Sequence, residues 1–355
     1  MKTRLVLITL GVGAALLALV AGGMWNLSLQ PMYTPGMVRR AENLTAPLAP
    51  PAQPAGAEGW LVEAEITLTH FAQGEGRNVL VVHGGPGLPF SQPMTGLASL
   101  TTDYRFNYYA QRGCGDSSRP FDRFASPDTY ANMQTLEQRL GLGAQIADIE
   151  RIRQLLGADK LILIGHSWGG FLAALYAAEF PEHVEALILV SPASMLVMPQ
   201  PEADSDLFAS VRARLPAERQ AAFDAFMDGY FDFGRLFLKS EAELVTMNET
   251  FGDYYAEAVN TALPHQGRSG GWMVWAQYLS LGQRHDYRSA LAAVAAPVLV
   301  IHGADDLQSE AASRVYAEAF PNAEFVVIEG AGHFAFEQQP AQFGQVVAAF
   351  LAGLR

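Results

Sequence analysis

The chain has 355 residues, half of them hydrophobic, enough for one large α/β domain with an insertion or for two average domains. Its 23 basic and 36 acidic residues leave a net charge of −13, which argues against nucleic acid or an anionic lipid surface as the main partner. A single cysteine, Cys114, forms no intramolecular disulfide, and no CxxC or HExxH spacing marks a zinc site.

At the amino terminus Lys2 and Arg4 precede an uncharged, apolar run from Leu5 to Met24. The apolar core of a signal peptide spans about 7–15 residues, whereas a membrane-spanning helix needs about 20, the length found here. Trp25 stands where an interfacial aromatic would anchor the far end. Residues 1–25 are therefore expected to form a signal anchor or transmembrane segment. Ala21, Gly22 and Gly23 leave a cleaved signal peptide as the alternative. The first case puts a membrane-anchored catalytic domain outside the cytoplasm; the second gives a secreted or periplasmic one. Residues 26–58, interrupted by Pro31, Pro35, Pro47, Pro50, Pro51 and Pro54, read as an extended linker. The folded domain is expected to start near Gly59.

Trp60 to Thr69 partly alternates polar and apolar residues, as a half-buried strand does. Asn78 to Val82 is a short apolar strand ending in His83-Gly84-Gly85-Pro86-Gly87. Such a glycine-rich loop offers bare backbone N–H groups at a strand's end, where an acyl hydrolase holds its oxyanion. His83 reads as a loop-structuring residue. Phe106 to Tyr109 is the next strand, followed by the turn Gln111-Arg-Gly-Cys-Gly-Asp-Ser117. There Arg112 and Asp116 either shape the site or pair with one another to hold the loop. Gly141 to Leu156 has helical spacing in Ile146, Ile149, Ile152 and Leu156. It leads to Leu161-Ile-Leu-Ile-Gly-His-Ser-Trp-Gly-Gly170, an aliphatic strand running into G-x-S-x-G and then a helix. That context makes Ser167 a nucleophile on a strained turn, and Gly165 and Gly169 keep the turn free of side chains.

The motifs HGGPG (83–87), QRGCGDS (111–117) and GHSWGG (165–170) together resemble the proline iminopeptidase group of α/β-hydrolases, over roughly Gly59 to Arg355. The resemblance implies an α/β-hydrolase fold: a mostly parallel central sheet flanked by helices, with an inserted helical cap. The core would comprise residues 59–195 and 287–355, and the cap residues 196–286. Two departures stand out. Ala110 occupies the place of the family's Asp before QRG, and Trp272-Met-Val-Trp275 is followed by Ala276 where the family's W-x-x-W-E pattern has Glu. The resemblance also implies a carboxylate that anchors a substrate amino terminus, with Glu249 and Asp253 as candidates by location.

Ala186 to Val190 continues the strand–helix alternation of a parallel sheet. The cap that follows is rich in aromatics, among them Phe223, Phe226, Tyr230, Phe231, Phe233, Phe237, Phe251, Tyr254, Tyr255, Trp272 and Trp275. Strand rhythm returns at Val298 to Ile301, followed by His302-Gly-Ala-Asp305-Asp306. Two adjacent aspartates compete there for the role of triad acid, and the family spacing selects Asp306. Glu324 to Ile328 is the last strand. The glycine-rich loop beyond it carries His333, the one histidine of eight that follows the acid in this context. His70, His183, His265 and His285 read as surface or structural residues, and Gln345 to Leu351 as part of a closing helix.

The expected catalytic set is Ser167, Asp306 and His333, with the amides of Gly85 and Trp168 as the oxyanion hole and Gly84 as an alternative first donor. No metal or organic cofactor is called for, and a small molecule or short peptide is the expected substrate. Membrane contact would run through residues 1–25 if they stay uncleaved. The leading expectation is a proline iminopeptidase-like aminopeptidase with an acyl-enzyme intermediate. A carboxylesterase acting on small apolar substrates is the alternative, and a non-catalytic binding protein on the same scaffold a minor one.

Overall fold

The computed structural model describes residues 30–200, 206–263 and 268–354. The expected anchor or signal segment lies outside these residues. Among the described residues no helix is long and apolar enough to cross a membrane.

One sheet is built from β1 (Gly59–Glu63), β2 (Ile66–Gln73), β3 (Arg77–Val82), β4 (Tyr104–Tyr109), β5 (Leu161–His166), β6 (Val184–Val190), β7 (Val298–Gly303) and β8 (Ala323–Ile328). Their spatial order is β1-β2-β4-β3-β5-β6-β7-β8. The pairs from β4 to β8 are parallel, and β1–β2 and β2–β4 are antiparallel. Central strands β5 and β7 are buried along their whole length, so near-continuous aliphatic runs replace alternation. On one face α2 (Leu142–Leu155) and α3 (Trp168–Glu179) cover Leu80, Leu163 and Leu189. On the other, α8 (Pro340–Ala352) packs Phe343 and Val347 into the cluster with Val79, Phe106 and Ile164.

Three local features depart from the sequence expectations. Trp60 to Thr69 is not one strand but a hairpin, turning at Ala64–Glu65. The turn frees Glu63 to enter a buried ion cluster: Arg112 and Arg151 both donate to its Oε1, at 2.7 and 2.9 Å, and both also bind Asp148. Burial alone would raise the Glu63 carboxyl; the two guanidinium groups outweigh it and hold it below the usual range. Arg112 thus has the structural role, but its partners are Asp148 and Glu63, since Asp116 is exposed. Helix α1 (Thr129–Leu140), which the hydrophobic pattern does not announce, starts at Asp128, whose carboxylate accepts from Tyr130 N and Ala131 N.

The third departure is the proline-rich stretch, which is docked, not loose. Tyr33 and Val38 are buried in the core. Glu179, at the end of α3, accepts from Tyr33 Oη at 2.9 Å, Gly36 N at 2.6 Å and Arg39 N at 3.0 Å. Arg151 donates to the carbonyls of Ala46 and Pro47. Residues 35–43 of this strap run as successive turns, and a few anchoring groups spaced along it tie it down.

Glu137 on α1 lies near the same junction. Ser280 Oγ donates to its Oε1 at 3.0 Å, while Oε2 is buried and has no described partner. Burial pushes this carboxyl up to about 7. Its folded value therefore lies above the unfolded one, and the folded state keeps a proton that the unfolded chain has released. That stabilisation is complete below the ordinary carboxylate range and is lost as pH rises toward 7. Between pH 4.5 and 8, Glu137→Gln should gain about 2–3 kcal/mol relative to wild type, read as the difference in urea unfolding free energy. A constant difference across that range would contradict the assignment.

The excursion between β6 and β7 is pinched off at its base by a two-residue ladder, with Val197 opposite Asp286 and Met198 opposite His285. Above it stand α4 (Leu207–Arg214), α5 (Ala217–Tyr230), α6 (Glu241–Val259) and α7 (Trp272–Leu281). The capping box of Ser240 and Glu243 starts α6. The buried carboxylate of Glu241 accepts from Gly271 N and Trp272 N, capping α7 from the neighbouring helix.

Candidate active site

Parallel strands direct their carboxyl ends to one edge of the sheet, and the loops leaving β3, β5, β7 and β8 meet there. Ser167 leaves β5 with φ 54° and ψ −121°, a backbone region that an L-residue occupies only under constraint. The constraint is visible. Ser167 N donates to Val190 O at 2.9 Å, and its carbonyl accepts from Gly170, Phe171 and Ala193. A Cβ on Gly165 would lie 2.6 Å from Gly170 Cα, and one on Gly169 would lie 2.6 Å from His83 O. Only bare backbone passes through this turn. Ser167 is also the residue before α3, so Trp168 N–H is one of the helix's unsatisfied first donors.

The loop after β3 approaches from the side. A Cβ on Gly84 would sit 2.8 Å from Ser167 Cβ. Gly85, with φ 116°, adopts a conformation open to glycine and lines the same cavity as Ser167. His83 structures this loop. Its Nε2 accepts from Gln111 N at 3.0 Å, and its Nδ1–H donates to Gly84 O. Burial pulls its pKa down to about 4, so it stays neutral at physiological pH.

Across the cavity, His333 Nδ1–H donates to Asp306 Oδ2 at 2.8 Å. The Asp306 carboxylate is buried, and its Oδ1 accepts from Gln308 N at 3.0 Å. Burial by itself would raise this carboxyl; the imidazole and the two hydrogen bonds prevail and keep it below the usual carboxylate range. Asp305 is exposed, with its N–H on Ala331 O. The His333 carbonyl lies 2.9 Å from His166 Nε2, and Tyr255 presents its ring edge to the imidazole at 6.0 Å. These contacts fix the ring's position.

Ser167 and His333 share the wall of one cavity. Beside them stand His166 and Phe334, and further lining comes from the loop after β3 and from the cap, where α6 contributes Asn248, Phe251, Gly252 and Tyr255. Those four recur at i, i+3, i+4 and i+7, one helical face, and this spacing was the available signal for a set the sequence reading did not pick out. Of the cap aromatics named in advance, Tyr230, Phe251 and Tyr255 reach the cavity. Trp272 and Trp275 are core residues. Glu249 and Asp253 are exposed on α6 and do not line the cavity. Among the described residues the lining contains no Asp, Glu, Lys or Arg. Asn248 is itself engaged, accepting from Tyr230 Oη at 2.7 Å and donating to Gly270 O at 2.6 Å.

Comparison with known proteins agrees with this architecture. Residues 77–340 match the family described as alpha/beta hydrolase fold. A proline iminopeptidase of Lactobacillus delbrueckii subsp. bulgaricus is 27% identical over 287 residues, covering 77% of this chain and 89% of that protein. A thermophilic esterase from Thermogutta terrifontis superposes with a TM-score of 0.54 at 22% identity, over 85% of this chain and 99% of that one. The proline iminopeptidase of Mycobacterium smegmatis gives 0.52 at 21% identity, over 82% and 96%. At such identities the two structures speak to the fold alone, but the family match spans most of the chain: this protein is a hydrolase of the α/β-hydrolase family.

Proposed function

We propose that the protein is a serine hydrolase that cleaves esters of uncharged carboxylic acids through an acyl-enzyme. The observation that carries this reading is the hydrogen bond from His333 to buried Asp306, in the wall of the cavity that also holds Ser167. A serine hydroxyl is too weak an acid to attack a carbonyl unaided. With Nδ1–H committed to Asp306, the unprotonated nitrogen of His333 is Nε2, which takes the Ser167 proton as the Oγ–carbon bond forms. The carbonyl oxygen becomes an oxyanion, met by the N–H groups of Trp168 and Gly85. Collapse of this intermediate breaks the bond to the leaving group, which receives the proton from His333. Water then repeats the sequence on the acyl-enzyme. Asp306 holds the ring and stabilises its charged form without itself taking the proton.

The choice of ester follows from the cavity's lack of charge. An α-ammonium group entering it would shed water and meet no described counter-charge, at a cost of several kcal/mol. An uncharged acyl group carries no such penalty. The second reading is an aminopeptidase acting on amino-terminal proline. It is favoured by the curated relatives and by the three motifs in this chain. A paired assay on proline-naphthylamide and short-chain p-nitrophenyl esters separates them. Ester turnover exceeding amide turnover in kcat/KM is expected; amide turnover alone would reverse the assignment.

A further inference from the structure

Two neighbouring aromatic side chains break the surface on the cap just after α5, Phe231 at 39% exposure and Phe233 at 52%, and Leu238 at 69% follows at the end of the same segment. Single exposed hydrophobics are ordinary, whereas a cluster marks a place where something binds. What distinguishes this cluster is its continuity with the active-site cavity. The ring of Phe233 lies 6.1 Å from that of Phe231, and Phe231 meets Phe208 edge-on at 5.1 Å. Phe208 in turn lies 5.2 Å from Phe251, a cavity-lining residue. A second branch runs from Phe231 to Tyr230 at 5.3 Å, and Tyr230 also lines the cavity. An unbroken aromatic path therefore joins the open surface to the wall that holds Ser167.

We propose that this path seats the distal part of a long acyl chain, so that the substrates are amphiphilic esters whose chains outrun the cavity. The inference rests on the ester-cleaving reading above. A short acyl group is contained among the residues around Ser167. A longer one must leave the cavity, and along Phe251, Phe208, Phe231 and Phe233 it leaves over apolar surface. Each methylene so covered strengthens transition-state binding by about fourfold, and the chain removes from water the apolar surface that the cap exposes in its absence.

The test is kcat/KM for p-nitrophenyl esters from acetate to decanoate, each below its micelle concentration. It compares wild type, the double variant F231S/F233S and the control Tyr130→Ser. Tyr130, on α1, is 69% exposed and lies outside the path. Wild type should gain with chain length. F231S/F233S should lower the decanoate-to-acetate ratio by ~10-fold or more, the equivalent of about two methylenes, and Tyr130→Ser should leave it in place. An unchanged ratio in F231S/F233S, or an equal fall in Tyr130→Ser, overturns the proposal. So does sedimentation showing that F231S/F233S splits a dimer while the ratio holds, since the patch would then join two copies. Acetate turnover with a flat chain-length profile defeats this proposal alone. Absence of turnover on every ester, acetate included, defeats the ester reading and this proposal with it.

Discussion

Ser167→Ala should lower kcat/KM on any substrate of this enzyme by ~10^5–10^6-fold while leaving the fold intact. The size of the effect follows from the chemistry. Without Oγ there is no acyl-enzyme, and only the remaining oxyanion donors and binding groups act on an attack by water. The fold should tolerate the change because Ser167 is held by its backbone. Its N–H and carbonyl carry the bonds to Val190, Gly170, Phe171 and Ala193, and alanine keeps them all. The strained φ of 54° costs alanine no more than serine, both having a Cβ. Steady-state kinetics beside circular dichroism checks both halves of the statement. Retained turnover in a folded variant would remove Ser167 from the mechanism.

Asp306→Asn is expected to lower kcat by ~10^4-fold, whereas Asp305→Asn should stay within about twofold of wild type, as surface changes do. The adjacent pair makes this a sharp comparison. Asp306 is buried and accepts the His333 Nδ1 proton, whereas Asp305 is exposed and contributes only its backbone N–H to the loop. Asparagine at 306 can turn its amide toward Nδ1, which then becomes an acceptor. The ring's proton moves to Nε2, and the base that Ser167 needs is gone. Ionisation of Asp306 is not limiting near neutrality, because its imidazole partner and hydrogen bonds hold the carboxyl below the usual range despite burial. Kinetics on the two single variants decides the matter. A large loss in Asp305→Asn with little in Asp306→Asn would reverse the assignment of the acid.

The parts legible in the sequence are those where local pattern and tertiary role coincide. A strand buried on both faces must be aliphatic throughout, so Leu161 to Ile164 and Val298 to Ile301 declare themselves. A turn through which only backbone passes must be glycine, so the loops at Gly84, Gly165 and Gly169 do as well. What the pattern hides depends on partners distant along the chain. Proximity in sequence offers Asp116 as one possible partner for Arg112, yet its carboxylates come from Glu63 and Asp148, brought together by the fold. The strap at residues 30–58 has the composition of a linker, and its docking turns on Glu179, more than a hundred residues away in sequence. Glu249 and Asp253 were chosen by position in the cap, but the phase of α6 gives the cavity to Asn248, Phe251, Gly252 and Tyr255. The elbow and its loops report the class of chemistry, while the cap face that selects a substrate becomes visible only when the helix phase is known.

The nucleophile can be labelled covalently. The purified enzyme is treated with a fluorophosphonate, digested and mapped by mass spectrometry. One phosphonyl adduct is expected, on Ser167, formed in step with loss of esterase activity, absent from Ser167→Ala and slowed in Asp306→Asn. Inactivation with the adduct on another residue, or full activity in enzyme labelled at Ser167, would contradict it.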